Sequence, residues 1–441
     1  MVRNGKIKFI FVVDIYNEGV DIPEINTILF LRPTKSLTLF IQQLGRGLRL
    51  SPGKECLTVL DFIGRANEKY NFEEKYASLI KKSNRSIEKQ IKDGFTHLPA
   101  GSYIELEEVA KKNILENIRR TFGVKSALVT RIRNFNDDTG IELTLENFLT
   151  YYHLDPVDIY SKGSFSRLCV MAGIYEDFMY PKEDKITKAL RKVSDIDSRK
   201  WLNFLLNIMR NLDHSELKDI SESEKKMLNM FQFTAWGDSL QEFGFTDFAE
   251  SFAEIKECGP LFNEMMEIIE YKLSRTDIVD FDIDLGFECP LELHCNYTRD
   301  QILVSMEIMN PKIVREGVRY ISEKKTDILF VTLNKSDKDY SPTNMYEDYL
   351  ISDTLFHWQS QSTTSESSVT GTRYINHRAQ GSKILLFVRE YRRTMDNLGA
   401  PYTFLGLVNY KSHEGSNPMN IIWELEKPVP AKYMKQINKL I

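Results

Sequence analysis

Arg46 and Arg49 stand three residues apart in the segment Gln42-Gln43-Leu44-Gly45-Arg46-Gly47-Leu48-Arg49. At that spacing two guanidiniums share one face of a helix. Side by side, they can neutralise the negative charge that builds on a phosphoryl group during transfer. Upstream lies Asp14-Ile15-Tyr16-Asn17-Glu18-Gly19-Val20-Asp21-Ile22-Pro23, in which Gly19 permits a tight turn among acidic and amide side chains. Phosphoryl chemistry needs more than this. The sequence holds no G-x-x-x-x-G-K-[ST] cradle for the phosphates and no DEAH-type box for magnesium.

The two segments read as G-x-D-x-P and Q-x-x-G-R-x-x-R, in that order. They resemble motifs V and VI of superfamily 2 helicases, which lie on the second of two RecA-like lobes. A lone G-R-x-x-R is most simply a solvated helix face, but both motifs in order and in strand context favour the helicase reading. The resemblance implies that Arg46 and Arg49 are catalytic arginine fingers acting on the γ-phosphate. It places Gly19, Asp21, Gln42 and Gly45 at the nucleotide, with Asp21 on the ribose or orienting the arginines. Gly45 would give room where the backbone passes close to a neighbour, and Asn17 and Glu18 would lie towards nucleic acid. ATP and Mg2+ would be held only together with the first helicase lobe, so the chain reads as the back part of a helicase and no turnover is expected from it alone.

The elements that must position these residues follow from apolar patterning. Residues 7–13, 27–31 and 57–62 are nearly continuous apolar or β-branched runs, the pattern of buried strands. Residues 36–48 have helical spacing, with Leu37, Phe40, Ile41, Leu44 and Leu48 on one face. Strand, strand, helix, strand over residues 1–75 is α/β with a parallel sheet. It is the second half of a lobe that normally takes about 120–150 residues.

Residues 76–279 are helical in period, with helices expected over 104–120, 143–152, 195–209, 221–231 and 261–273. Ser221 with Glu224, and Thr144 ahead of Glu146, have the residue types of helix caps. Residues 280–441 change to short strand-like runs, at 302–306, 328–333, 384–388, 404–408 and 421–425. The fold class expected is thus multidomain, α/β plus α plus β-rich, the last part a curved sheet or partial barrel.

A second candidate site lies in that last region. Phe356-His357-Trp358-Gln359-Ser360-Gln361 precedes a Ser/Thr-rich stretch, then Arg373-Tyr374-Ile375-Asn376-His377. Aromatic rings such as Trp358 and Tyr374 can stack on bases for roughly 1–3 kcal/mol each. Gln359 and Gln361 offer bidentate edges to bases. Hydroxyls with Arg373 and Arg378 suit phosphates, and His357 lies among them. Phe356 and Trp358 alternate about His357, which equally allows them to face a core, and the Ser/Thr run can be a bare loop.

This region is similar to the uncharacterised domain that closes restriction helicases carrying an N-terminal phospholipase-D-like nuclease. Such proteins include type IV restriction enzymes, which cut DNA bearing modified cytosine. The resemblance implies DNA as partner, DNA with modified cytosine included, together with helicase and nuclease parts outside this chain. No H-x-K-x-x-x-x-D nuclease motif occurs. Glu323-Lys324-Lys325 spells E-x-K but precedes its strand, as a solvated charge run does.

Bulk properties are compatible with this reading. The 441 residues suit about two to four domains. A net charge of −5 gives no global basic field, although charge can concentrate locally. Five cysteines without a C-x-x-C pair fit a reducing compartment rather than a disulfide framework. Cys289, His294 and Cys295 match no common zinc spacing, so no metal is expected. No apolar run approaches the roughly 20 residues of a membrane span, and a cytoplasmic protein without membrane partners is expected. The alternatives are a repair or remodelling helicase fragment and an inactive remnant of a disrupted reading frame.

Overall fold

A computed structural model describes residues 7–11, 22–31, 37–62, 72–79, 90–91, 95, 98, 102–122, 125–212, 220–276, 283–314, 316–334, 348–394 and 398–430. The chain divides into two compact units, residues 1–127 and 128–441. In the first, β1 (Thr27–Phe30) and β2 (Thr58–Asp61) pair in parallel, Thr27 opposite Thr58 and Phe30 opposite Asp61. Helix Leu37–Gly47 connects them and lays Phe40 against Phe30, their ring centroids 5.2 Å apart. Ile28, Phe30 and Val59 point to one face, while Leu29 and Leu60 on the other are half-exposed.

Two expectations for this unit are corrected. Residues 7–11 form no strand, and Phe9 and Phe11 are exposed. An apolar run becomes a strand only where another strand completes its hydrogen-bond ladder, and among the described residues none does so. The helix also stops at Gly47, one residue earlier than the apolar spacing suggests, leaving Leu48 largely exposed.

The second unit begins with a helical layer. Helices Leu145–Tyr151, Arg199–Arg210, Glu222–Ala235 and Gly259–Arg275 match the expected periods within a few residues. Ser221 and Glu224 form a reciprocal capping box, and the Thr144 hydroxyl accepts from the Asn147 amide. Within the layer, Glu264 is a buried carboxylate that accepts from the amides of Phe165 (2.7 Å) and Ser166 (2.8 Å). It thereby satisfies two orphan donors at the start of helix Phe165–Ala172.

Beyond the helices lies one sheet in the order β4 (Val318–Ile321), β5 (Thr326–Asn334), β8 (Lys383–Tyr391), β9 (Tyr402–Glu414), β10 (Asn420–Leu425), β7 (Leu355–Gln359), β6 (Tyr349–Leu350). The short β3 (Asn296–Tyr297) adds to β9. β5 and β8 run parallel and the other pairs antiparallel. Neither end of the order pairs back, so the sheet is open and no closed barrel forms.

Four of the five expected strands are present; residues 302–305 are instead part of helix Arg299–Ser305, with Met306 as its C-cap. Its start was readable: Thr298-x-x-Gln301 forms a reciprocal capping box, which overrides a short apolar run that fits either element. The end of the Ser/Thr-rich run that could be a bare loop, residues 369–372, is instead part of helix Val369–Asn376, with Ser368 as N-cap. Glu323-Lys324-Lys325 sits in the turn between β4 and β5, away from any strand interior.

Helices and sheet share polar joints. Asp197 accepts from the backbone N of Asn296 (2.7 Å) and its Nδ2 (2.6 Å), and Glu292 accepts from the Ser198 hydroxyl (2.6 Å) and the Lys200 amide (3.1 Å). Gln301 Nε2 donates to Thr234 Oγ1 at 2.8 Å, and Trp201 stacks on Tyr297. These joints, spanning residues 197–301, explain why 128–441 is one compact unit.

Candidate functional site

The arginine segment is positioned by the end of helix Leu37–Gly47. Arg46 lies in its last turn and is half-buried; Arg49 lies past its end and is exposed. The three-residue spacing therefore does not run along one continuous helix. The Leu48 amide still reaches the Leu44 carbonyl (3.1 Å), which ties Arg49 closely to the helix terminus. Gln42 and Gly45 are both exposed on the helix. Asn17, Glu18, Gly19 and Asp21 lie outside the described residues.

The close approach expected at Gly45 belongs to Gly47. A Cβ at Gly45 would meet nothing within 4 Å, whereas at Gly47 it would come within 2.6 Å of Ile28 Cδ1 and 2.8 Å of Leu57 Cδ2. A side chain at Gly47 would crowd the ends of the Ile28 and Leu57 side chains, which would have to shift where the helix end rests on β1 and the approach to β2. Sequence reading missed Lys54. Its ammonium donates to the carbonyls of Pro23 (3.0 Å) and Arg49 (3.0 Å), and to that of Gly47. One cation thus gathers the last carbonyls of the arginine helix and the Pro23 that closes the G-x-D-x-P segment. A lysine just past a helix end is the local signal. Asp61 is held by Lys75, whose ammonium also sits 4.3 Å from the Phe40 ring centroid.

In the sheet, β7 alternates as its sequence allows. Phe356 and Trp358 point into the core; Leu355, His357 and Gln359 occupy the half-exposed face. Trp358 is 5% exposed and packs edge-on to Tyr374 (5.6 Å) and against Trp423 (6.1 Å). Tyr374 is fully buried, and that burial drives its pKa upward. Neither ring presents a face on which a base could stack, because both are buried in the core.

Arg373 is likewise committed. Its Nε and Nη2 bond the two oxygens of Asp327 at 2.7 and 2.9 Å, and its guanidinium lies 3.9 Å from the Tyr320 ring centroid. Asp327 is fully buried, and its pKa is raised by that burial against the opposing pull of Arg373. The pair fastens helix Val369–Asn376 to β5. A guanidinium spent on both oxygens of a buried carboxylate does not serve as a phosphate contact.

His377 is also built in. It accepts from the Tyr410 amide through Nε2 (3.0 Å), so its Nδ1 carries the proton and faces the Ser382 carbonyl (3.2 Å). Burial lowers its pKa, in keeping with a neutral ring. The other face of β7 carries His357 stacked on Tyr349 (4.7 Å, 12° between planes), with Gln359 and Gln361 half-exposed nearby. The Gln359 backbone amide donates to Asp348, and Gln361 Oε1 accepts from Thr364. Among the described residues no cluster of His, Cys, Asp and Glu is arranged to hold a metal. No described helix is long and apolar enough to cross a membrane.

Two stretches of the chain match known families. Residues 1–51 match the helicase conserved C-terminal domain, and residues 291–437 match a domain of unknown function, DUF3427. A Saccharomyces cerevisiae protein assigned as an ATP-dependent helicase, IRC3, is 45% identical over 65 residues, 15% of this chain and 9% of that protein. The 51.5 kDa protein of Lactococcus phage (isolate 7-9) is 42% identical over 57 residues, 13% of each chain. The chain thus spans only about a tenth of the length of these relatives. Its N-terminal segment is thus similar to the conserved C-terminal domain of helicases.

Proposed function

We propose that the chain is the C-terminal part of an ATP-dependent DNA helicase or translocase from a restriction or phage-defence system, working in the cytoplasm. Arg46 and Arg49 act as arginine fingers, and Gly19, Asp21, Gln42 and Gly45 contribute to the nucleotide site. Asn17 and Glu18 face DNA. ATP and Mg2+ are held jointly with a first helicase lobe. The sheet of the second unit binds DNA and reads modified cytosine. The observation that carries this reading is the presence in one chain of the helicase match at 1–51 and the DUF3427 match at 291–437.

Burial of Trp358 and Tyr374 and the pairing of Arg373 move the proposed DNA contacts to His357, Gln359 and Gln361. The stacked His357–Tyr349 pair offers an aromatic platform, and the two carboxamides offer donors and acceptors for base edges. The test is binding of the full chain to matched duplexes with and without modified cytosine. Tighter binding of the modified duplex, lost in His357→Ala and Gln359→Ala with folding intact, is expected. Equal binding of both duplexes would instead support a repair or remodelling helicase.

A further inference from the structure

On the sheet face opposite the Trp358 core, Thr332, Arg389 and Tyr402 form a row across β5, β8 and β9. The register puts Thr332 opposite Arg389 and, one residue from the row, Val388 opposite Thr403. The next row is aromatic, with Phe330 beside Phe387 and Phe387 stacked on Phe404. Helix Arg299–Ser305 delivers a second guanidinium to this face. Arg299 lies 4.6 Å from the Phe330 ring centroid and Arg389 lies 4.3 Å from that of Tyr402, with the two rings 5.2 Å apart.

Both cations are only partly satisfied. Arg389 donates Nε to Thr332 Oγ1 (2.9 Å) and Nη1 to the Ala400 carbonyl (3.3 Å); Arg299 donates Nη2 to the Glu316 carbonyl. Arg299 Nε is buried with no hydrogen-bond partner. Among the described residues neither guanidinium forms an ion pair with a carboxylate. Asp300 is the acid that acts on Arg299, and it is shared with Lys192 and Lys312. Two half-buried guanidiniums that repel each other, one of them with an orphaned N–H, are an arrangement that an anion stabilises. The repulsion is visible in Arg299, whose affinity for its proton is lowered by burial and by Arg389.

We propose that Arg299 and Arg389 form an anion site that takes a phosphate group, with Thr332 orienting the Arg389 fork. Guanidiniums suit this ligand because their planar forks match phosphate oxygens in pairs. The assignment of that phosphate to a DNA backbone rests on the function proposed above; the anion site itself rests on this geometry. Arg392 and Arg393, both exposed just beyond Arg389, extend the positive surface along which a backbone would run.

The test uses the full chain with Arg299→Gln, Arg389→Gln, the two lysine variants, and Arg319→Gln on β4 as a control. Binding of a fluorescent duplex is measured across salt concentrations, and the melting temperature is measured in phosphate against chloride at equal ionic strength. Each glutamine variant is expected to weaken DNA binding about 3- to 10-fold and to lower the salt slope by about 1. The same variants should lose the stabilisation by inorganic phosphate, and Arg319→Gln should change neither. Phosphate stabilisation lost in the variants while wild-type chain binds no DNA supports the site and sinks the DNA reading. Phosphate stabilisation lost with DNA affinity unchanged assigns the site to free phosphate. Wild-type affinity, slope and phosphate response in both glutamine variants overturn the site and leave DNA binding to other residues; so does a wild-type chain that responds to neither probe. Should the glutamine variants melt early, the lysine variants decide, with about 3-fold weaker DNA binding at unchanged slope expected from loss of the fork, and unchanged affinity counting against the site.

Discussion

Glu264 should make the second unit lose stability as pH rises through the neutral range. Its carboxylate is fully buried against the amides of Phe165 and Ser166, with Tyr160, Cys169 and Glu267 around it. Burial raises its pKa from 4.5 to about 7, outweighing the hydrogen bonds that favour the anion. A folded pKa above the unfolded one means that the folded state holds its proton longer. The stabilising effect is complete below about pH 4.5, declines as pH rises towards 7, and is lost above it. A rise of that size corresponds to about 3 kcal/mol between the two limits. Glu264→Gln removes the titration. It also leaves one carboxamide oxygen for two amide donors, a constant loss of about 1–2 kcal/mol. The variant should therefore be the less stable at pH 5, and the gap should close or reverse by pH 8. All four tryptophans, Trp201, Trp236, Trp358 and Trp423, lie in residues 128–441, so urea unfolding followed by tryptophan fluorescence reports this unit alone. A difference between wild type and Glu264→Gln that stays constant within about 0.5 kcal/mol from pH 5 to 8 would show that the carboxylate does not titrate there.

Three further outcomes are expected. Asp327→Asn should destabilise the second unit by about 3–5 kcal/mol by stranding the Arg373 guanidinium, and a double variant with Arg373→Leu should cost less than the sum of the singles in the same urea titration. Trp358→Ala should lower stability by about 3–5 kcal/mol as a core truncation; a variant with unchanged unfolding midpoint but lost DNA binding would return Trp358 to the recognition surface. Lys54→Met should loosen the end of helix Leu37–Gly47, raising amide hydrogen exchange at residues 44–48 about 5- to 30-fold for a loss of about 1–2 kcal/mol; exchange at the wild-type rate would mean that the three carbonyls are held without the ammonium.

Much was legible because the deciding physics is local. The helical periods of the middle region, the Ser221/Glu224 capping box and four strands of the sheet are set by apolar spacing and by side chains three residues from the groups they satisfy. The order of the two motif segments, and the parallel pairing of residues 27–30 with 58–61, came from the same reading. Errors arose where a short apolar run fits two elements, as at residues 302–306, and where a strand needs a partner that no local pattern supplies, as at residues 7–11.

Tertiary structure alone decided what each polar or aromatic candidate is free to do. The sequence shows that Phe356 and Trp358 share a face of β7, but two faces of a strand are equivalent until the rest of the sheet covers one. Arg373 reads as an available cation until Asp327, 46 residues away, takes both arms of its fork. Gly47 rather than Gly45 is the crowded position because Ile28 and Leu57 approach it from other segments. Spacing along the chain determines which side chains can stand together on one element; which of them remain available to a ligand depends on contacts from distant segments, and no local pattern encodes those.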